Sequence, residues 1–178
     1  ASLQDIIQRH LETFPDLSTF ADKVRIQIND THPALVVAEL IRLLTTRFHF
    51  KWREACETTQ QVVGFTNHTI LTEALEQWNR ERLACLLPRQ YWVIEQINQN
   101  LCEEVRKKFP LDEEKIRKLS IIEEGQVHMA NLAIYGSHCV NGVARLHGDI
   151  LKHRVFKEFY EMFPEKFTYV TNGITQRH

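Results

Sequence analysis

No apolar run in this 178-residue sequence approaches the roughly 20 residues a helix needs to cross a bilayer, and the mean hydropathy is -0.33. No block of Lys and Arg is dense enough, or interleaved enough with aromatics, to suit nucleic acid or a lipid surface. The formal net charge is only -1. The four cysteines, Cys56, Cys85, Cys102 and Cys139, form no C-x-x-C pair, which excludes a zinc ribbon or a redox motif. They read as reduced core thiols of a cytoplasmic protein. No basic, apolar, small-residue leader opens the chain. The sequons Asn29-Asp30-Thr31 and Asn67-His68-Thr69 therefore read as chance matches. Neither H-x-x-x-H nor H-E-x-x-H spacing occurs, so no metal is expected. Repeats, low-complexity tracts and Gly/Ser/Pro linkers are also missing, which predicts one domain over 1–178. The chain opens Ala-Ser-Leu without methionine and stops at Gln176-Arg177-His178, which reads as part of something longer.

What is present is enough for a core, at 43% hydrophobic. Residues 24–28 alternate apolar and polar, the period of a strand. Pro33 suits a first helical turn, and 34–44 is apolar on nearly every face, which predicts a buried helix. A second helix is expected over 51–63 and ended by Gly64, with another starting across 72–78. Tyr91, Ile94, Ile97, Leu101 and Val105 recur at three or four, so 88–109 reads as a long amphipathic helix. A short helix should follow Pro110. Met129 to Tyr135, short and apolar, reads as a buried strand, 140–153 as helix and 167–170 as a last strand. Strands separated by helices imply parallel pairing, hence an α/β fold.

The polar residues gather where those strands end, at Asn29-Asp30-Thr31-His32, Gly136-Ser137-His138 and Thr171-Asn172-Gly173. A fourth cluster is Thr66-Asn67-His68-Thr69. In an open parallel sheet, ligands bind beyond the carboxyl ends of the strands. A hydroxyl-rich ligand needs such paired donors and acceptors, because an unmatched buried hydroxyl costs about 1–3 kcal/mol. Each cluster alone has a plainer explanation. Asp30 and Thr31 could cap the helix at Pro33, His68 and His138 could be core histidines, and Asn172-Gly173 could be a turn. Only their joint occurrence points to a ligand. A hydrolase using His68 or His138 as base is disfavoured by the lack of a G-x-S-x-G elbow.

The segments VRIQINDTHPALVVAELIRLL, FTNHTILTEALEQW, MANLAIYGSHCVNGVARLHGDILK and EKFTYVTNGITQR together closely resemble the α-glucan phosphorylases. The likeness runs from about Phe14 to Arg177. It implies a helix-rich, Rossmann-like portion of the N-terminal lobe of a glycosyltransferase type B fold. The activity implied is transfer of the terminal glucosyl unit of an α-1,4-glucan to phosphate, giving α-glucose 1-phosphate. The parent would be a homodimer carrying pyridoxal phosphate on a lysine of its other lobe, so no cofactor-binding residue is expected in this chain. By the same resemblance His68 is the catalytic position, its carbonyl facing the reacting anomeric carbon and its ring the sugar's 6-hydroxyl. Asn172 would bind that hydroxyl, and Val143 would pack beneath it. Asp30 and His32 would line the glucan entrance, with Asn67 and Thr69 flanking His68. Phe65, Thr72 and Gln176 depart from the family's tyrosine and two prolines, without touching these positions. The alternative is a non-catalytic carbohydrate-binding or regulatory module of the same ancestry.

Overall fold

The computed structural model describes residues 2–171 and Gly173. The chain begins with α1 (Ser2–Thr13) and α2 (Phe20–Lys23), then enters β1 (Ile26–Asn29). After the turn come α3 (Leu35–Arg47), α4 (Trp52–Val62) and β2 (Val63–Thr66). A short excursion follows: β3 (Gln77–Asn79), α5 (Arg80–Leu86), α6 (Pro88–Lys108), α7 (Glu113–Leu119), β4 (Ile122–Glu123) and β5 (Gln126–His128). The chain returns through α8 (Met129–Tyr135) to β6 (Cys139–Gly142), then α9 (Arg145–Ile150), a π-turn over Leu151–Val155, α10 (Lys157–Met162) and β7 (Phe167–Tyr169).

Two sheets result. The larger has the order β1-β2-β6-β7, with each neighbouring pair parallel. This is the α/β arrangement expected from strands separated by helices. The register aligns Gln27 with Gly64, Asn29 with Thr66, Thr66 with Asn141 and Asn141 with Thr168. Because side chains alternate along a strand, those residues share one polar face. Gln27 crosses it, donating through Nε2 to Thr66 Oγ1 at 2.8 Å and Asn141 Oδ1 at 3.2 Å. Gly64 leaves room for that side chain, since a Cβ there would meet Gln27 Oε1 at 2.4 Å. The other face presents Ile28, Val63, Phe65, Val140 and Phe167, all buried in one core cluster with α3, α6 and α8. The smaller sheet is antiparallel, in the order β3-β5-β4. Its β4–β5 hairpin turns on Glu124 (φ 49) and Gly125 (φ 75), the two left-handed residues such a tight hairpin requires.

Several expectations need correction. Met129 to Tyr135 is a helix, not a strand. Its run of Met, Ala and Leu is apolar all round because the helix is enclosed, and a short run of that kind carries no period to separate the two. Gly64 is a residue of β2 and does not end α4. Residues 72–78 form a 3-10 turn at Thr72–Ala74 and then strand β3, not a helix. The stretch 140–153 starts as β6 before turning helical. Helix α3 is buried as predicted, through Val37, Ala38, Leu40, Ile41, Leu43 and Leu44. No described helix is long and apolar enough to cross a membrane.

Candidate functional site

The carboxyl ends of β1, β2 and β6 lie side by side, and three turns leave them together. The first begins at Asn29. Asp30 adopts φ 61, a left-handed conformation that aspartate tolerates better than most residues. Its N–H donates to the Thr66 carbonyl at 2.8 Å, and its carboxylate accepts the Thr31 N–H at 2.7 Å. Neither Asp30 nor Thr31 caps α3, whose N-cap is Ala34 with no side-chain bond. Thr31 Oγ1 instead donates to Glu76 at 3.0 Å, and the same carboxylate accepts Trp78 Nε1–H at 2.8 Å. The capping explanation for this turn therefore fails. His32 is exposed just beyond it.

The second turn follows β2. The Asn67 N–H donates to the Asn141 carbonyl at 3.0 Å. Its side chain is fully buried, and among the described residues neither amide atom has a hydrogen-bond partner, a costly condition for so polar a group. His68 is exposed, and its Nε2 is hydrogen-bonded to Asn29 Oδ1. Since that oxygen only accepts, the ring nitrogen carries the proton.

The third turn follows β6. Val143 N–H donates to His147 Nδ1 at 3.1 Å, and His147 Nε2 meets the Thr69 carbonyl at 3.3 Å. An N–H can only donate and a carbonyl can only accept. The buried His147 ring is thus the neutral tautomer with its proton on Nε2. Helix α9 reaches this position because Gly142 and Gly148 let backbones touch. A Cβ on Gly142 would lie 2.9 Å from the Gly148 nitrogen, and one on Gly148 would lie 3.0 Å from Tyr169 Cβ. Strand β7 joins the group through Val170 N–H, which donates to the Gly142 carbonyl at 2.9 Å.

Asp30, Asn67, His68, Thr69 and Val143 are therefore brought to one edge. Asn172 lies outside the described residues. Ser137 and His138 do not belong here. Because 129–135 is a helix, they enter β6 rather than leave it, and sit at the opposite end of the sheet. There the His138 backbone N–H and ring Nδ1–H both donate to the Val63 carbonyl, at 2.9 and 2.7 Å. Ser137 Oγ donates to the Ala133 carbonyl at 2.6 Å. Asn29 belongs to the polar cluster read from sequence, whereas Glu76, Asn141 and His147 were not singled out there. For His147 a signal existed: it falls four residues after Val143 and directly before a glycine, in a motif already marked as special.

A recess of about 360 Å³ lies elsewhere, between the small sheet and α10, lined by Lys118, His128, Arg154 and Glu158 among others. Its Lys118 is paired with Glu114 and Glu158, each at 3.0 Å, so it offers no free cation from that residue. Among the described residues, no group of three or more His, Cys, Asp or Glu could hold a metal ion.

The match to known proteins covers all of this. Residues 1–178 match the carbohydrate phosphorylase family. The chain belongs to that family. It is 47% identical over 179 residues to the glycogen phosphorylase of Synechocystis, covering 99% of this chain and 21% of that protein. Against the glycogen phosphorylase of Chlamydia pneumoniae it is 48% identical over 180 residues, covering 99% and 22%. The muscle-form glycogen phosphorylase of Ovis aries is 45% identical over 188 residues, again covering 99% and 22%. The chain spans about a fifth of the length of these relatives.

Proposed function

We propose that this chain forms the sugar-facing wall of an α-glucan phosphorylase, in the N-terminal lobe of a glycosyltransferase type B fold. The parent enzyme transfers the terminal glucosyl unit of an α-1,4-glucan to inorganic phosphate and releases α-glucose 1-phosphate. The single observation that carries this reading is the setting of residues 67–69. They are bound on one side to Asn29 of β1 and on the other to Asn141 and His147. A fixed carbonyl at His68, aimed at an anomeric carbon that gains positive charge, lowers the barrier because it needs no reorganisation in the transition state. The His68 ring and Asn172 take the 6-hydroxyl, with Val143 beneath. Asp30 and His32 stand on the side where the glucan enters.

Family resemblance assigns pyridoxal phosphate to the parent, and the buried lysine here does not fit the role of holding it. The buried lysine, Lys166, donates to the carbonyls of Ile134 and Tyr135 at 3.1 and 3.0 Å, at the end of the sheet away from His68. By that resemblance the cofactor would be held by a lysine of the other lobe. The same resemblance supports a homodimeric, cytoplasmic enzyme.

The test is phosphate-dependent release of glucose 1-phosphate from maltooligosaccharide by the enzyme carrying this chain, with pyridoxal phosphate supplied. Release should depend strictly on phosphate, and the 178-residue chain alone should give none. Glucan binding without release by the complete enzyme would mean a non-catalytic carbohydrate module. Turnover by the chain alone would overturn the assignment of half the site to other sequence.

A further inference from the structure

We infer that His147 is a positioning residue that clamps the His68 segment to Val143, an inference that rests on the phosphorolytic reading above. The His68 carbonyl sits in a short stretch with two anchors. Before it, the Asn67 N–H is held by the Asn141 carbonyl at 3.0 Å. After it, the Thr69 carbonyl is held by His147 Nε2 at 3.3 Å. The same imidazole accepts the Val143 N–H at 3.1 Å. One buried ring thus spans the turn that carries the proposed catalytic carbonyl and the turn that floors the sugar.

The geometry explains why histidine stands there. The two partners are a main-chain donor and a main-chain acceptor, so the bridging side chain must accept at one atom and donate at another. Neutral imidazole does both on a rigid ring. The ring has little freedom, since Gly142 and Gly148 draw α9 onto β6 and β7. His147 touches neither reacting atoms nor phosphate in this account. It acts through the His68 carbonyl, where a displacement of about 1 Å can cost about a hundredfold in rate.

The experiment compares His147→Ala, His147→Asn and His147→Gln in the enzyme carrying this chain. Asn keeps an acceptor near the Nδ1 position, and Gln keeps a donor near the Nε2 position. His147→Ala should lower kcat roughly ten- to a hundredfold with KM for the glucan changed less than about threefold. Gln should recover more of kcat than Asn, because the Thr69 anchor governs the carbonyl. A wild-type enzyme without phosphorolysis would sink the functional reading. Normal kcat in His147→Ala beside an active wild type would sink only the present inference.

A second readout needs no turnover. In the ¹⁵N-labelled enzyme carrying this chain, the Ile70 amide shares a peptide group with the Thr69 carbonyl, and the Val143 amide bonds the ring directly. His147→Ala should shift both resonances, Gln should restore Ile70, and Asn should restore Val143. Unmoved amides, or equal failure of Gln and Asn to restore them, would overturn the clamp.

Discussion

The two ends of the parallel sheet carry similar residues and treat them in opposite ways. At the amino end of β2 and β6, His138, Ser137 and Lys166 all turn back onto main-chain carbonyls, of Val63, Ala133, Ile134 and Tyr135. Their polar atoms fasten α8 and the start of β2. At the carboxyl end, side chains of neighbouring segments bond one another, as His68 does to Asn29 and Thr66 to Asn141. There the buried Asn67 amide has no partner among the described residues. His138 commits its ring donor to the backbone of β2 and serves the fold, whereas His68, exposed beyond the strand ends, can serve a ligand.

Lys166 offers the largest effect with which to sharpen this contrast. Burial pushes its amine down to about 8 from an ordinary 10.5. In the unfolded chain the group stays protonated up to the ordinary value, so between pH 8 and 10.5 the unfolded state binds more protons. Wild-type stability should therefore rise with pH across that window, and the penalty of the buried charge is fully present below pH 8. Lys166→Met removes this titration. Chemical denaturation should show the wild-type-minus-variant difference growing by on the order of 2–3 kcal/mol from pH 7.5 to 10.5. Parallel curves for the two proteins would mean that the amine is not held as described. Phosphorolysis at neutral pH by a folded variant should be close to wild type, because the lysine lies at the wrong end for the sugar.

The smaller effect is at His138. Its ring is exposed and bonds one carbonyl that also accepts the residue's own N–H. His138→Ala should cost about 0.5–1.5 kcal/mol and leave kcat/KM within about twofold. A hundredfold loss of kcat/KM in a stably folded His138→Ala would erase the distinction between the two ends.

Much of the architecture was legible because its signals are physical. The alternation at 24–28, the greasy stretch of α3 and the three-four spacing of α6 each reflect a face that must be buried. The short antiparallel sheet was not legible. Gln77-Trp78-Asn79 is exposed throughout, so no buried face imposes a period, and its pairing comes from the distant strand Gln126–His128. The single error with consequences for function was α8. An enclosed helix and an enclosed strand are both apolar on every side. Reading the wrong one reversed the end of the sheet at which Ser137 and His138 stand. His147 was missed for a different reason: its place after Val143 and before Gly148 was a signal, but its partners are backbone atoms of Thr69 and Val143, which a side-chain pattern does not name. The clusters at 29–32 and 66–69 were found because polar residues between buried segments are themselves the anomaly.

The central claim is that the carboxyl edge at His68 is where the glucosyl unit reacts. The direct test is kcat/KM for phosphorolysis of maltooligosaccharide by wild type and His68→Ala in the enzyme carrying this chain. The ring is exposed, so its removal should leave the melting temperature nearly unchanged. Loss of one hydrogen bond realised at the reacting sugar, worth about 1.5–3 kcal/mol, should lower kcat/KM roughly ten- to hundredfold. A His68→Ala enzyme with kcat/KM within twofold of wild type would contradict the account.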